Sequence, residues 1–374
     1  TLFPYTTLFR SWSIHMKLEE IRNTIDQIDS KILKLLNDRM EQALLANKFK
    51  TSIEDPAREK EIIDKIKHTP NLLLEPSFTE SLYKLIISWS KELQSRDYQV
   101  IGFQGEHGAY SEEAARRWNR DLLTIPCTTF NGVFEGVNSG MFDYGVVPVE
   151  NTLGGIVGPV NELLINTELY IVGAVDMPIH HSLMMLPGTD HREIREVYSH
   201  SQALSQCRRF LSRNNLIPVP FYDTAGAARM LTEKKPRTTA CIAGKLAAEL
   251  YSLEILKENV EDSDINRTRF LILAKDNNGN SGNKCSITFT TEHKSGTLFN
   301  TLEIFAKRGI NLTRIESIPT EPGHYSFFLD FDGSDKDPVI KEALELAGEA
   351  TSDLKLLGCY CEKFITEDMM KGDI

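Results

Sequence analysis

Apolar residues near the start of the chain recur at alternating spacings of three and four. This spacing predicts one long helix with a single apolar stripe, the heptad pattern along which two helices pack side by side. No glycine occurs between residues 17 and 96, and the whole stretch is predicted to be helical. The stripe by itself is typical of a helical bundle or of a coiled-coil dimer. Its members are Leu18, Ile21, Ile25, Ile28, Ile32 and Leu35.

The pattern changes twice beyond residue 96, so we expect a multidomain chain. Residues 97–275 alternate short apolar runs with helical periodicity, which predicts an α/β domain. Residues 276–283 are polar and rich in chain-breaking residues, which predicts a linker. Residues 284–364 predict an α+β domain with the ferredoxin-like order βαββαβ, and residues 365–374 a C-terminal tail. The elements predicted for that domain are Lys284–Thr291, Thr297–Lys307, Asn311–Ser317, His324–Phe331, Pro338–Leu346 and Asp353–Glu362.

The composition of the chain argues against several classes of protein and site. The formal net charge is −11, so there is no basic excess with which to bind nucleic acid. No stretch approaches the roughly 18 unbroken apolar residues of a membrane helix, and we expect a cytoplasmic location without membrane contact. The scattered cysteines lack zinc spacing and predict reduced thiols. They are Cys127, Cys207, Cys241, Cys285, Cys359 and Cys361.

Two further features carry no predicted chemistry. His180 and His181 are adjacent but have no acidic or cysteine partner at ligand spacing, so we expect neither a metal nor a cofactor. Residues 1–15 repeat a Thr-Leu-Phe triplet and have neither a helical period nor the layout of a signal peptide. We expect them to be a non-native or disordered extension, with Met16 as the natural start.

Cationic side chains of the helical segment suggest a site for a small anion. Arg39 and Lys50 are eleven residues apart, three turns of one helix, and are predicted to share a face. Arg22 precedes Arg39 by seventeen residues, about 25 Å along a helix, so one small dianion cannot touch both. If both serve one site, Arg22 must come from a second subunit packed antiparallel along the stripe. The sequence therefore predicts a homodimer with shared sites, and does not decide between a dimer and a tetramer.

These charges resemble those of the all-helical chorismate mutase family. The resemblance covers residues 16–96 and implies that this domain rearranges chorismate to prephenate. It implies that Arg39, Arg58 and the partner subunit's Arg22 bind the substrate carboxylates. The matching positions are Arg22, Asp29, Arg39, Lys50, Asp55, Arg58, Glu59, Ser90 and Gln94.

The resemblance also assigns roles to the remaining positions. Lys50 and Gln94 would address the ether oxygen, Glu59 would hold a ring hydroxyl, and Asp55 and Ser90 would complete the site. A Claisen rearrangement needs no acid, base or metal. It needs the compact conformer held in place and the charge that develops on the ether oxygen stabilised. The alternative is that these residues are solvated helix charges, as most lysines and arginines are.

Polar residues follow the apolar runs of residues 97–275. Glu150 and Asn151 come directly after a buried run, at the strand end where open α/β sheets bind ligands. Ser199 ends a second run, and Ser201 is predicted to cap the helix that follows. The candidate cleft residues are Glu150, Asn151, Ser199, Gln206, Thr224, Thr268 and Arg269.

These stretches resemble prephenate dehydratase over about 170 residues. The matching motifs are Gly-x-x-Gly-x-x-Gly-Ala-Tyr-Ser-Glu from Gly102, Val-Pro-Val-Glu-Asn-Thr, Ser-His-x-Gln-Ala-Leu-x-Gln-Cys, Asp-Thr-Ala and Asn-Arg-Thr-Arg-Phe. The resemblance implies two α/β subdomains with a cleft between them, as in periplasmic binding proteins. It implies that prephenate loses CO₂ and its ring hydroxyl together to give phenylpyruvate.

Thr268 is the key hydroxyl by this resemblance, close to the leaving group. A threonine hydroxyl is a poor acid in water, so our hypothesis is that it acts within a hydrogen-bond network. Arg269 is a candidate for a substrate carboxylate, with a structural ion pair as the equal alternative.

Two short motifs of residues 284–364 resemble the effector motifs of the ACT domain in phenylalanine-regulated enzymes. The resemblance implies that phenylalanine binds at a subunit interface, and the alternative is a dimerisation module without a ligand. Ile318 stands where many relatives have arginine, which makes the affinity for the effector uncertain. The two motifs consist of Gly296, Thr297, Leu298 and Phe299, and of Glu316, Ser317, Ile318 and Pro319.

Taken together, these features predict a bifunctional enzyme of phenylalanine synthesis that is feedback-inhibited by phenylalanine. A solute-binding protein with a helical dimer handle is a second class, and the Thr268-Arg-Phe motif argues against it. A third interpretation keeps the dehydratase but gives it arogenate as substrate. The fused mutase argues against that, because it makes prephenate.

Overall fold

The computed structural model describes residues 18–70, 72–234, 236, 238–277, 279, 281–291, 294–321 and 324–370. The predicted extension of residues 1–15 lies outside these ranges. The chain forms two compact units, one ending at Asp97 and the other beginning at Tyr98. No helix in the described ranges is long and apolar enough to cross a membrane.

The first unit consists of three helices, α1 (Leu18–Asn47), α2 (Pro56–His68) and α3 (Pro76–Ser95). Helix α3 packs on both others. The six members of the predicted stripe all lie on α1 and are 42–66% exposed. Within the described part of this unit, Ile87 is the one apolar side chain that is buried. The helices therefore have almost no interior of their own, and the exposed stripe is an unpaired apolar surface.

The second unit begins with an α/β part whose elements alternate as the apolar pattern predicts. A 3₁₀ turn covers His191–Glu193. The strands and helices are β1 (Val100–Gln104), α4 (Tyr110–Trp118), β2 (Leu123–Cys127), α5 (Phe130–Asn138), β3 (Tyr144–Asn151), β4 (Gly155–Ile156), α6 (Gly158–Asn166), β5 (Tyr170–Pro178), β6 (Ser182–Met185), β7 (Glu196–His200), α7 (Ser201–Gln206), α8 (Arg208–Arg213), β8 (Ile217–Phe221), α9 (Thr224–Lys234), β9 (Thr239–Ala243), α10 (Lys245–Leu250), β10 (Glu254–Lys257) and β11 (Arg267–Ala274).

The C-terminal part follows in the predicted order of strand, helix, strand, strand, helix and strand. Its first strand and first helix have the predicted bounds. The elements are β12 (Lys284–Thr291), α11 (Thr297–Lys307), β13 (Leu312–Glu321), β14 (His324–Asp332), α12 (Pro338–Ala350) and β15 (Ser352–Tyr360), followed by β16 (Glu362–Phe364) and α13 (Glu367–Met370). The four strands β13-β14-β12-β15 form one antiparallel sheet. Phe289, Phe305 and Ile340 belong to the core between this sheet and its two helices.

The α/β part contains two sheets. One has the order β16-β5-β11-β3-β1-β2, with β4 paired to β3, and the other has the order β10-β6-β9-β7-β8. The chain passes between them twice, at residues 179–181 and 258–266. These two crossovers are bonded side by side, since Ile179 N donates to Asn266 O (2.8 Å) and Val260 N donates to His181 O (2.9 Å). The crossovers therefore bring residues from distant parts of the sequence to the junction of the sheets.

The described residues of the predicted C-terminal tail, 365–370, pack against the α/β part. Strand β16 adds to the edge of the first sheet, where Glu362 lies beside Ala174 of β5. Ile365 is 2% exposed, and Arg117 donates to the backbone oxygen of Met369 (2.5 Å). The apolar Ile365 is buried in the α/β core, which ties the C-terminal part to it. Residues 371–374 lie outside the described ranges.

The prediction that all six cysteines are reduced is also wrong. Cys285 and Cys359 are joined by a disulfide and are partners in the β12–β15 ladder, with their Cα atoms 4.2 Å apart. Directly opposed strand residues place their Cβ atoms close enough for this bond. The two residues are 74 positions apart in sequence, which hid the pairing. Cys127, Cys207, Cys241 and Cys361 are free.

Candidate functional site

The carboxyl end of β3 and the start of β11 bring Asn151 and Thr268 together as ladder partners. Both side chains are at least nine-tenths buried. Asn151 Oδ1 accepts from the backbone N–H groups of Leu153 (3.1 Å) and Gly154 (2.6 Å), which fixes the orientation of the amide. Asn151 Nδ2 then donates to Thr268 Oγ1 (2.9 Å). Because Thr268 accepts this bond, its own proton stays available to another acceptor.

Gln206 joins this pair from the end of α7. Its Nε2 lies 3.4 Å from Asn151 Oδ1, and its Oε1 lies 2.8 Å from His181 Nε2 and 3.2 Å from Asn266 Nδ2. His181 is 2% exposed, and burial lowers its pKa. Asn266 Oδ1 accepts from Asn151 Nδ2 at 2.8 Å. The result is a set of buried and half-buried polar side chains from two strands, one helix and both crossovers, each held by another.

Two other predicted cleft residues lie outside this set. Ser199 is fully buried and donates to the backbone oxygen of Ile242 (2.6 Å), so its proton is already engaged. Thr224 is the half-buried first residue of α9. The side chain that caps α7 is His200, which accepts from Gln202 N, and not Ser201 as predicted, because the helix begins at Ser201.

Glu150 and Arg269, which are also predicted cleft residues, lie outside this polar set. They are partners in the ladder between β3 and β11, one step from Asn151 and Thr268. Since successive strand residues point to opposite faces, this pair faces away from Thr268. Arg269 donates to Asp330 and Glu362, both at 2.5 Å. The structure thus shows the ion-pair alternative for Arg269.

This second face is a buried charge cluster between the first sheet and the C-terminal sheet. Arg269 is 5% exposed, and Tyr360 Oη accepts from it at 2.9 Å. Burial alone would lower the pKa of Arg269, but Asp330, Tyr360 and Glu362 around it raise that pKa above its ordinary value. Glu150 lies 3.7 Å from Arg269 and 3.5 Å from Arg314. The cluster joins the α/β part to strands β13 and β14.

In the helical unit, some candidate residues are buried but have polar atoms without a partner in the described ranges. Ser90 and Gln94 are buried on α3, and Gln94 Nε2 donates to Ser90 Oγ (3.1 Å) and Ser90 O (3.0 Å). Gln94 Oε1 and Arg39 Nη1 are shielded from solvent and have no hydrogen-bond partner among the residues that the structure describes. A buried donor or acceptor without a partner is unfavourable unless a ligand meets it.

The other predicted residues of this unit lie at its surface. Arg22, Lys50 and Arg58 are exposed, and Arg58 pairs with Glu61 at 2.6 Å. Helix α1 ends at Asn47, so Lys50 lies beyond it and the prediction that it shares a helix face with Arg39 is wrong. Arg22 and Arg39 do lie on one unbroken helix, about 25 Å apart at 1.5 Å per residue. One chain therefore does not bring them together.

Two acidic residues of this unit already have local partners. Asp55 accepts from Arg58 N (3.0 Å) as the N-cap of α2, which is a structural role. Glu59 pairs with Lys91 of α3 at 3.1 Å. Lys91 is not among the predicted site residues.

The C-terminal part contains an open cavity of about 480 Å³ at the start of α11. Gly296 precedes this helix with φ +90°, a backbone conformation that favours glycine. Ser317 and Pro319 are the ladder partners of Phe327 and Tyr325. The cavity is lined by Thr291, Lys294, Ser295, Thr297, Leu298, Tyr325 and Phe327.

The remaining residues of the two motifs differ in exposure. Phe299 is 65% exposed, whereas Ile318 is 7% exposed. Ile318 pairs with Ser326, so strand alternation places it on the face opposite Phe327 and away from the cavity. Glu316 is half-buried on β13.

Three family models match successive parts of the chain. They describe chorismate mutase type II over residues 21–95, prephenate dehydratase over 101–278 and the ACT domain over 286–345. The chain is also 34% identical to a bifunctional chorismate mutase/prephenate dehydratase of Aquifex aeolicus, over 94% of this chain and 99% of that protein. The chain belongs to this bifunctional family. It has chorismate mutase and prephenate dehydratase activities and acts in phenylalanine biosynthesis, with an ACT domain that is consistent with regulation by phenylalanine.

Two further comparisons cover the dehydratase and ACT domains. An arogenate dehydratase of Petunia hybrida is 38% identical over 70% of this chain and 66% of that protein. A crystal structure of prephenate dehydratase from Arthrobacter aurescens in complex with L-Phe is 30% identical. The match covers 74% of this chain and 92% of that one, with a TM-score of 0.64.

Three members of the dehydratase network are not among the predicted site residues. Asn266 stands in the Asn-Arg-Thr-Arg-Phe motif, so its position was visible although its role was not. Tyr110 stands in the Gly-Ala-Tyr-Ser motif, and its hydroxyl lies 2.6 Å from His181 Nδ1. No local spacing marks His181 as a site residue, because its partners lie 71 and 25 residues away. No group of three side chains able to hold a metal occurs in the described ranges.

Proposed function

We propose that the two reactions use separate sites and that dehydration takes place at Thr268. Aromatisation of prephenate breaks the bond to the carboxylate, which leaves as CO₂, and the bond to the ring hydroxyl. The departing hydroxide needs a proton to become water. The bond from Asn151 Nδ2 to Thr268 Oγ1 (2.9 Å) carries this proposal, because it leaves the Thr268 proton free to point at the leaving oxygen.

The neighbours of Thr268 support this role. The Asn151 amide stabilises negative charge that develops on Thr268 Oγ1 as the proton moves. Gln206 Nε2 has two N–H groups and donates one of them towards Asn151. Its second N–H is available for a carboxylate or the carbonyl of the substrate. Ser199 and Thr224 lie on neighbouring elements, and we propose that they shape the cleft.

Substitution of Thr268 tests the dehydratase proposal. We expect Thr268→Val to lower the dehydratase kcat by about 10²–10⁴-fold, the usual contribution of a positioned proton donor. Mutase activity of the same preparation should be unchanged. Thr268→Ser keeps the hydroxyl and should retain most activity. Equal dehydratase rates for the Val and Ser variants would overturn the role of the hydroxyl.

For the rearrangement, we propose a site shared between two copies of the chain. Arg39 and Arg58, with the partner subunit's Arg22, would bind the carboxylates. Lys50 and Gln94 would stabilise the ether oxygen. The shielded, unpaired Arg39 Nη1 and Gln94 Oε1 support a ligand at this place. Gln94 donates its Nε2 to Ser90 in this structure, so its amide must turn over to donate to the ether oxygen.

The remaining residues of the mutase site follow from the same proposal. Glu59 would hold the ring hydroxyl from a position fixed by Lys91. Ser90 would orient Gln94, and Asp55 would act through its cap on α2. The exposed stripe of α1 supports the homodimer that this arrangement requires, since burying it would give the helices the interior they lack.

We further propose that the mutase domain covers residues 16–96, the dehydratase 97–275, the linker 276–283 and the ACT domain 284–364. The matched ranges support these boundaries. The order of elements and of strands supports a ferredoxin-like ACT domain, and the two sheets of the dehydratase support a two-subdomain architecture of the periplasmic-binding-protein type. A cytoplasmic location also stays a proposal.

Phenylalanine is the effector that we propose for the ACT domain. The open cavity beside Thr297 and Leu298, with Tyr325 and Phe327 in its wall, supports an aromatic amino acid there. The relative from Arthrobacter aurescens was crystallised with L-Phe. Saturating phenylalanine should therefore inhibit phenylpyruvate formation. If phenylpyruvate formation stays unchanged, the ACT domain has a structural role and does not respond to phenylalanine.

Arogenate is the second candidate substrate, favoured by the 38% identity to an arogenate dehydratase. That protein is named for a reaction of the dehydratase alone, whereas this chain carries the mutase that makes prephenate. Comparison of kcat/KM for prephenate and arogenate decides between them. We expect prephenate to be preferred.

A further inference from the structure

The three amides of the dehydratase network fit together in one orientation only. The backbone N–H groups of Leu153 and Gly154 require Asn151 Oδ1 to face them, so Asn151 Nδ2 faces Asn266 Oδ1. Asn266 Nδ2 must then face Gln206, which presents Oε1 to it at 3.2 Å. Gln206 Nε2 consequently points at Asn151 Oδ1. The orientation is thus transmitted from the backbone to Gln206.

This orientation determines the hydrogen on His181. Gln206 Oε1 is an acceptor, so the bond of 2.8 Å between it and His181 Nε2 requires a proton on Nε2. The other ring nitrogen, Nδ1, lies 2.6 Å from the Tyr110 hydroxyl. That hydroxyl also lies 2.8 Å from the backbone oxygen of His180. A hydroxyl has one proton, so Tyr110 donates it either to Nδ1 or to this backbone oxygen, whereas the proton on Nε2 is held by Gln206.

In the part of the chain that the structure describes, the ring of His181 is not hydrogen-bonded to a carboxylate. The nearby carboxylate of Glu261 accepts from the backbone N–H of His181 (2.9 Å) and from the ring of His180 (2.8 Å), not from the ring of His181. Burying a polar ring is unfavourable unless its hydrogen bonds are made. An apolar side chain would fill the same space without that penalty. Packing alone therefore does not explain why a polar ring is buried here.

We propose that His181 is a positioning residue of the dehydratase. Its Nε2–H holds the Oε1 end of Gln206, so that the Nε2 end faces Asn151 and the substrate. This bond, at 2.8 Å, is the shortest of those that orient the amide, since the distances to Asn266 and Asn151 are 3.2 Å and 3.4 Å. Without it the amide is held less firmly and presents an oxygen more often where the substrate needs a donor. The inference rests on the proposed function of Gln206 as a substrate-binding residue.

A matched pair of substitutions tests the bond. In His181→Gln, the amide Nε2 takes nearly the place of the ring Nε2 and can donate to Gln206. His181→Met has a similar volume and no donor. We expect His181→Gln to keep the dehydratase kcat within about threefold. His181→Met should lose about 10–100-fold, the usual effect of removing a residue that orients a site residue.

The mutase activity and the melting temperature of each variant report on folding. A residue that only fills space would give similar dehydratase rates for the Gln and Met variants, and this result would overturn the proposal. The same holds if His181→Met loses dehydratase and mutase activity in parallel.

A double-mutant cycle separates this inference from the function on which it rests. If His181 acts through Gln206, His181→Met should cause no further loss of kcat in a Gln206→Ala background. Losses that multiply in the double variant would show that His181 acts independently. If Gln206→Ala alone leaves dehydration unimpaired, the proposed role of Gln206 fails instead.

Discussion

The mutase and dehydratase domains differ in how much of each candidate site one chain supplies. In the dehydratase, Asn151, Gln206 and Thr268 hold one another by hydrogen bonds and are backed by His181 and Asn266. In the mutase, the shielded atoms of Arg39 and Gln94 meet no partner in the described ranges, and the apolar stripe of α1 is exposed. The first arrangement is preorganised within one chain, whereas the second has almost no interior of its own, and under our proposal a partner subunit completes its site.

The difference has a physical origin in the two folds. Strands and crossovers bring side chains from distant parts of the sequence to one junction, so a buried polar network can close within a single chain. A long helix separates its residues along its length by 1.5 Å per residue, so a compact site needs a second helix running the other way. Dimerisation should therefore control the mutase far more than the dehydratase.

Disruption of the stripe is expected to give the largest effect. The double substitution Ile25→Asp and Ile28→Asp places two charges where a partner helix would pack, and burying unpaired charges is strongly unfavourable. We expect a monomeric mutase domain and a loss of mutase activity of about 10³-fold, with dehydratase kcat within about twofold. Chorismate consumption, phenylpyruvate formation from added prephenate, and sedimentation measure these outcomes.

The control for this experiment is Asn37→Asp, an exposed position on the side of α1 away from the stripe, which should change neither activity. Full mutase activity in a monomeric stripe variant would remove the distinction between the two domains.

Removal of Arg269 tests the other face of the dehydratase ladder. Arg269→Met leaves Asp330 and Glu362 buried without their cation, and breaking a buried pair in this way costs about 3 kcal/mol or more. The transition of the second unit in thermal melting should fall accordingly, while the transition of the helical unit stays in place. Arg192→Met is the matched control, because its pair with Asp190 is exposed and should change stability by less than about 0.5 kcal/mol. Equal shifts for both variants would show that the cluster is not a buried ion-pair network.

These two faces also show what the sequence could and could not reveal. Asn151, Gln206 and Thr268 are predicted by their motifs, and the structure brings them together. Glu150 and Arg269 stand in the same motifs, but strand alternation turns them to the C-terminal sheet. That alternation could have been applied to the sequence, since each is the immediate neighbour of a cleft residue. The role of His181 could not, because it depends on contacts with Tyr110 and Gln206 across the fold.

The type and order of the elements were predicted more accurately than the residues at which some of them end. The period of apolar residues gave β12 and α11 with their bounds, because local spacing decides both. Lys50 was misplaced because α1 stops at Asn47, and no glycine or proline in the sequence marks that end. The contribution of β16 to the first sheet and the pairing of Cys285 with Cys359 are long-range contacts, which local patterns do not encode.

The smallest effect that we expect is a pH dependence of stability at the crossovers. His180 is bonded to Glu261 and to Glu367 of the C-terminal helix, both at 2.8 Å. The hydrogen bond to Glu261 is the main reason that the pKa of His180 is raised to about 9. A raised pKa means that the stabilisation is fully present below the unfolded value of about 6.5 and is lost as pH rises through about 9. The melting temperature of His180→Gln should lie below that of the unsubstituted protein at pH 6 and match it near pH 10. A difference that does not change with pH would exclude a charged His180.

The most direct test of the shared mutase site is a mixture of two inactive variants. Arg22→Ala and Arg39→Ala, each impaired as a homodimer, are unfolded together and refolded at equal amounts. A mixed dimer has one site with both arginines intact and one site with neither, so random pairing should restore about a quarter of the mutase activity. Dehydratase activity should be unaffected in every sample. A mixture that stays as inactive as its components, although mixed dimers have formed, would contradict a mutase site built from two chains.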